Sequence, residues 1–198
     1  MAYAHIAHDC HIGNHTIFGN AATLGGHVTV EDYAAVSAFS GVHQFCRVGR
    51  HAYIGGYSVV TKDALPFAKT VGNRARIYGL NTIGLERRKF SRETISKLRR
   101  SFRYLLHSNT SRALAQIDRD PSLQCEEVQY LTAFIRSSSR GVGLRRPSRR
   151  LEELVDRAVR EAPERLRFQR PQVFFLRLMV ERVPGRGDVS ATGVGQFY

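Results

Sequence analysis

HIAHDC HIGNHT IFGNAA TLGGHV TVEDYA AVSAFS GVHQFC RVGRHA YIGGYS VVTKDA, residues 5–64, is one six-residue phrase said ten times without a slip. Its second place reads Ile6, Ile12, Phe18, Leu24, Val30, Val36, Val42, Val48, Ile54, Val60. Its sixth place, from Cys10 to Ala64, is always small or medium-sized. A period of six matches neither the 3.6 of a helix nor the alternation of a long strand. It matches a coil of three short flat faces, eighteen residues per turn. The aliphatic second place then fills the core of the prism, and the small sixth place fits near a corner. Glycines such as Gly13, Gly19, Gly25, Gly49 and Gly55 are expected to ease the bends. Sixty residues make about three coils, near the minimum for a repeat array. Nothing covers the first coil, which leaves strand edges and apolar core open. Coils preceding residue 1 are therefore expected, and the chain reads as N-terminally truncated. Expressed alone, it is expected to aggregate or to form weak trimers, with little acyl transfer.

The hexads stop at Asn73, and helices are expected to follow. Ser91 is placed to cap a helix, with Glu93 in its first turn. Ile95, Leu98, Phe102, Leu105 and Leu106 share one face at helical spacing. So do Val128, Leu131, Phe134 and Ile135, and Leu114 pairs with Ile117. The division expected is a β-helix over 1–78, a helical domain over 79–146, and a tail over 147–198. An arginine-rich boundary, Arg145–Arg150, precedes that tail, and its reading is partly helical (Leu151–Val159), partly disordered.

Charge is unevenly spread within the net +13. Residues 65–146 hold seventeen basic and six acidic side chains, a net +11, whereas 1–64 hold three and four. Such a patch attracts an anionic partner. Nucleic acid fits poorly, because the basic run lacks interleaved aromatic platforms. No apolar run is long enough to span a membrane. The N-terminus lacks a signal-peptide pattern, and three cysteines make no disulfide framework. A reducing, cytoplasmic location is the consistent reading.

Coils stack at strand spacing, about 4.8 Å, so residues eighteen apart share a column. His8, Gly26 and Gln44 form one column, Asp9 and His27 the next, and His43 stacks over Gly25. This set suits acyl transfer. A neutral imidazole takes the proton of a weak hydroxyl nucleophile near pH 7. A carboxylate fixes its tautomer. A glycine N–H, closely approached, stabilises the oxyanion. Two other readings stand beside this one. The histidines decorate an exposed face, or His5, His8, Cys10 and His11 bind a metal. The metal reading is weakened because neighbours on a flat strand point in opposite directions.

AHIAHDC, TLGGHV, GVHQFC and GNRARIYGLNTIGLERRKFSRE, in that order and spacing, resemble the UDP-N-acetylglucosamine O-acyltransferase family of the lipid A pathway. The resemblance covers roughly residues 1–140. It implies a left-handed parallel β-helix of hexapeptide repeats followed by an α-helical C-terminal domain. That hand runs against the usual right-handed crossover. It implies a homotrimer with active sites between subunits. It implies transfer of a 3-hydroxyacyl group from acyl carrier protein to UDP-N-acetylglucosamine. No cofactor or metal of the enzyme's own is implied, since the donor carries the phosphopantetheine. His8 matches the base, Asp9 its carboxylate, and Gly26 the oxyanion donor. His5, His27, His43 and Gln44 match residues around the sugar, acyl and nucleotide groups. Asn81, Arg87 and Arg88 match residues near the nucleotide and the phosphopantetheine, and Gly56 a limit on acyl length. Ile83 departs from a glutamate, and Arg74 from a histidine, that some members carry. The alternatives are the related UDP-acylglucosamine N-acyltransferase, an acetyl-CoA acetyltransferase, or an inactive trimerisation or binding module. The run GLNTIGLERR followed by helices favours the O-acyltransferase.

Overall fold

In the computed structural model, which describes residues 1–144, each hexad contributes one two-residue strand. These are β1 (His5–Ile6), β2 (His11–Ile12), β3 (Ile17–Phe18), β4 (Thr23–Leu24) and β5 (Thr29–Val30). They continue as β6 (Ala35–Val36), β7 (Gly41–Val42), β8 (Arg47–Val48), β9 (Tyr53–Ile54) and β10 (Val59–Val60). Every third strand pairs in parallel with a register of eighteen: His5 with Thr23, Thr23 with Gly41, Gly41 with Val59. Three sheets result, one per face, with orders β1-β4-β7-β10, β2-β5-β8 and β3-β6-β9. The third face goes on past the repeat. β11 (Ala68–Val71) pairs in parallel with β9, and β12 (Arg76–Leu80) turns back antiparallel to β11. The helices expected directly after Asn73 are thus preceded by a further strand, which runs across residue 78.

The second hexad place fills the core, as expected, from Leu24 onward: Leu24, Val36, Val48 and Ile54 are 0% exposed. In the first coil Ile6 and Ile12 are 46% and 38% exposed. From Ala22 onward the sixth place is buried too, and where it is polar it is satisfied. Ser40 Oγ donates to Gly55 O at 2.7 Å and accepts from Ser58 N at 3.2 Å.

The bends are made differently from the expectation. The left-handed backbone conformation falls on the fifth hexad place: Asp9, His15, Ala21, His27, Tyr33, Phe39, Phe45, His51 and Tyr57 all have φ between 53° and 63°. The glycines of the third place are there for close approach between coils. A Cβ on Gly13 would lie 2.7 Å from Asp32 N, and one on Gly25 2.8 Å from Gln44 N. Nine non-glycine residues in αL is costly for isolated residues. Here each turn is fixed by a bond to the next coil, such as His27 N to His8 O at 3.1 Å and Phe45 N to Gly26 O at 3.1 Å.

Among the described residues four α-helices follow, α1 (Thr82–Arg87), α2 (Arg92–His107), α3 (Thr110–Arg119) and α4 (Glu126–Arg136), with a short 3-10 turn at Pro121–Leu123 before the last. Ser91 caps α2 by accepting from Thr94 N, with Glu93 in the first turn, as its position predicts. Ile95, Leu98, Phe102 and Leu105 of α2 pack with Ile117 and with Val128, Leu131 and Phe134. The same cluster includes Leu65, Phe67, Ala68 and Ile77, so the helices close over the end of the solenoid. No helix among the described residues is long and apolar enough to cross a membrane. The expected boundary at Arg145–Arg150, the helix over Leu151–Val159 and the disordered tail lie outside the described residues.

Candidate active site

The first corner, between the β1 and β2 faces, brings together His8, Asp9, Gly26 and His27. Corner geometry explains why neighbours in sequence converge. His8 and Asp9 lie in a turn and not on a strand, and Asp9 has φ 57°. Their side chains therefore meet, Nδ1 of His8 lying 2.8 Å from Asp9 Oδ2. An ionised carboxylate only accepts, so it fixes the proton on Nδ1 and leaves Nε2 with its lone pair free. That hydrogen bond from His8 holds the Asp9 carboxyl below the usual carboxylate range, with smaller contributions from His27 and His11.

Gly26 lies against the free end of the ring. A Cβ there would stand 2.6 Å from His8 Cε1 and 2.7 Å from Nε2, so any side chain at this place would displace the exposed His8 ring. Its amide is oriented from behind. Cys10 Sγ donates to Gly25 O at 3.2 Å. In a trans peptide the N–H points opposite the C=O, which turns the Gly26 N–H away from Cys10. The Gly26 backbone thus lies beside the ring edge that carries the base lone pair.

His27 completes the group. Its Nε2 is 3.7 Å from Asp9 Oδ2, its ring meets His8 edge-on at 5.1 Å, and Phe45 stacks on its other face at 4.8 Å. Phe45 was not anticipated, although it is the third member of the column begun by Asp9 and His27. Gln44 is exposed, two coils along from His8, and His43 beside it is contacted by Arg140 at 3.2 Å. His5 is exposed on β1 of the adjoining face. The quartet His5, His8, Cys10 and His11 does not converge, because Cys10 turns inward. The atoms that could share an ion are instead those of His8, Asp9 and His27, within 4.8 Å of one another.

The remaining expected residues lie at other corners of the protomer. Asn81 caps α1 by accepting from Gly84 N, and its Nδ2 donates to His51 O at 3.1 Å. Arg88, just after α1, sets its guanidinium over the Tyr33 ring at 4.2 Å. Both mark the second corner, where His15, Tyr33 and His51 stack at 4.8 and 4.9 Å. Arg87 is exposed on α1. Gly56 belongs to the third corner, next to Tyr57 stacked on Phe39, and a Cβ there would touch only Ala38 O, at 3.4 Å.

Residues 63–143 match the profile of the family described as UDP-N-acetylglucosamine O-acyltransferase, domain 2. An acyl-[acyl-carrier-protein]–UDP-N-acetylglucosamine O-acyltransferase from Syntrophobacter fumaroxidans is 50% identical over 145 residues, 72% of this chain and 56% of that protein. The enzyme of that name from Burkholderia mallei is 41% identical over 147 residues, with the same coverage. Over about seven tenths of its length the chain resembles the UDP-N-acetylglucosamine O-acyltransferases. It spans just over half the length of these curated relatives. The UDP-N-acetylglucosamine acyltransferase structure from Campylobacter jejuni superposes with a TM-score of 0.69 at 37% identity, covering 74% of this chain and 57% of that one. The one from Bacteroides fragilis gives 0.68 at 38%, covering 70% and 55%. The solenoid is the left-handed β-helix of this family, followed by its helical region.

Proposed function

We propose that this chain belongs to the UDP-N-acetylglucosamine O-acyltransferase family and transfers a 3-hydroxyacyl group from acyl carrier protein to the 3-hydroxyl of UDP-N-acetylglucosamine, the first step of lipid A biosynthesis. The observation that carries the reading is the His8–Asp9 pair at 2.8 Å with Gly26 pressed against the bare Nε2. His8 Nε2 removes the hydroxyl proton as oxygen attacks the thioester carbonyl. Asp9 stabilises the imidazolium that results. The Gly26 N–H receives the oxyanion, and collapse of the intermediate returns the proton to the departing thiolate of the phosphopantetheine. His27, His43, Gln44 and His5 surround the sugar, acyl and nucleotide groups. Gly56 leaves the acyl groove open at that point.

Asn81, Arg87, Arg88 and Gly56 lie at corners other than that of His8. This favours a homotrimer in which one subunit's base faces a neighbour's arginines. The enzyme is assigned to the cytoplasm, where carrier-protein thioesters are made. It needs no cofactor of its own and no metal.

Acyl transfer is measured with UDP-N-acetylglucosamine and a series of 3-hydroxyacyl carrier-protein thioesters, with and without chelator. Light scattering on the same sample gives the mass. Whatever O-acylation is seen is expected to come from a trimer and to be insensitive to chelator. Transfer only to an amino group would point to the N-acyltransferase, and loss of activity to chelator would point to an ion on His8, Asp9 and His27. Absence of transfer would leave a binding or trimerisation module.

A further inference from the structure

The chain beyond α4 returns to the last coil and is strapped to it. Arg47 Nη1 donates to Ser137 Oγ at 2.9 Å, and Ser138 Oγ donates to Asp63 Oδ2 at 2.6 Å. Asp63 N donates to Gly141 O at 2.9 Å, and Ile77 N to Gly143 O at 3.2 Å. Asp63 is 2% exposed, and its other oxygen accepts from Arg47 N at 2.8 Å. Between these anchors Arg140, half-buried, reaches toward the first corner. Its Nη2 lies 3.2 Å from His43 Nδ1 and 3.5 Å from Thr61 O.

His43 Nδ1 has a second neighbour, the Gln44 carbonyl, also at 3.2 Å. The two contacts exclude each other. A guanidinium only donates, so Arg140 requires a lone pair on Nδ1, whereas the carbonyl requires a proton there. The bond from Arg140 is charge-assisted and roughly twice as strong as a neutral one. The arginine is also held in place by the strap on both sides.

We propose that Arg140 is a positioning residue for His43. By occupying Nδ1 it holds the imidazole in the Nε2–H tautomer, and so makes His43 a hydrogen-bond donor to an oxygen of the bound nucleotide sugar. This rests on reading the first corner as the acyl-transfer site. The division of labour at the corner follows from it. Asp9 places the His8 proton on Nδ1 and leaves Nε2 an acceptor. Arg140 does the opposite to His43 and leaves Nε2 a donor.

The test begins on the resting protein, with two-bond 15N–1H correlation spectra of 15N-histidine-labelled material. Wild type is expected to show His43 protonated on Nε2. Arg140→Met is expected to move the proton to Nδ1, toward the Gln44 carbonyl, and Arg140→Lys to preserve the wild-type state. In the acyl-transfer assay Arg140→Met should raise KM for the nucleotide sugar about tenfold, the value of one lost hydrogen bond of about 1.4 kcal/mol, and leave kcat within about twofold. Arg140→Lys should recover most of that loss. His43→Asn/Arg140→Met should be no worse than His43→Asn alone. A wild-type His43 protonated on Nδ1, or an unchanged tautomer in Arg140→Met, overturns the proposal. So does an unchanged sugar KM in Arg140→Met, or no rescue by lysine. The spectra do not depend on turnover, so failure of the acyl-transfer reading is seen separately: wild type then shows the expected tautomer but transfers nothing.

Discussion

His27 and His51 occupy the same place in the repeat, share the same left-handed backbone, and each stacks on an aromatic ring, yet they are different chemical objects. At the first corner His27 is exposed and faces the Asp9 carboxylate at 3.7 Å. At the second corner His51 is half-buried between Tyr33 and Phe67, with the Phe90 ring edge-on. Burial first, then the guanidinium groups of Arg88 and Arg50, push its pKa down to about 4. The repeat fixes where a side chain leaves the coil. What surrounds it decides whether it faces a carboxylate in the open or packs among rings. The helices make the difference, because Arg88 and Phe90 reach the second corner from beyond the solenoid.

The comparison is most sharply tested at the bases. His8→Ala should lower acyl transfer by about 100-fold or more, whereas His51→Phe, which keeps the stack, should leave turnover within about twofold. Equal losses would mean that the two corners are not chemically distinct. Gly26→Ala comes next. Its methyl would occupy the space of the exposed His8 ring, so the ring should swing away and turnover fall by about 10- to 100-fold with the melting temperature little changed. A large drop in melting temperature would instead make Gly26 a packing residue.

Replacing Arg87 and Arg88 by alanine should raise KM for the carrier-protein thioester several-fold, and added salt should do the same to wild type, since exposed charges are screened. A donor KM indifferent to both would remove the second corner from the binding surface. The smallest effect is on stability. The His51 pKa in the folded protein is depressed from 6.5 to about 4, so below 6.5 the unfolded chain binds more protons and folding weakens. Melting temperature should therefore fall between about pH 6.5 and pH 4, and His51→Phe should remove that part of the slope. An unchanged slope would show that His51 titrates as freely as an exposed residue.

Much of the fold was readable because one rule was repeated ten times. The second place put Leu24, Val36 and Ile54 in the core, and the step of eighteen placed Gly26 on His8 and His27 beside Asp9. The turn chemistry was less readable. Ala, Tyr and Phe are unusual choices for positive φ, and the glycines nearby are the residues that ordinarily take it. Once Asp9 and His27 are seen as a column, Phe45 is its next member, so that omission was avoidable. β12 was hidden because it follows no hexad and pairs antiparallel. Arg140 had no local signal at all, since it meets His43 from 97 residues away through a strap that only the folded chain reveals.

The register of eighteen has a consequence for how such a chain can change in length. The coil advances one face for every six residues, but a column recurs only after three faces. A duplication of one hexad between Asp9 and Gly26 would keep every core position inward and the solenoid intact. It would nonetheless carry the glycine round to a different edge of the prism, out of reach of the histidine. Only a whole turn returns a residue to its own column, and even that would set it one coil further from its partner. Growth by sixes is neutral for the architecture, while the chemistry survives no insertion between its two halves. Length variation compatible with activity is thus confined to whole coils outside residues 8–44, or to loops that leave the prism altogether.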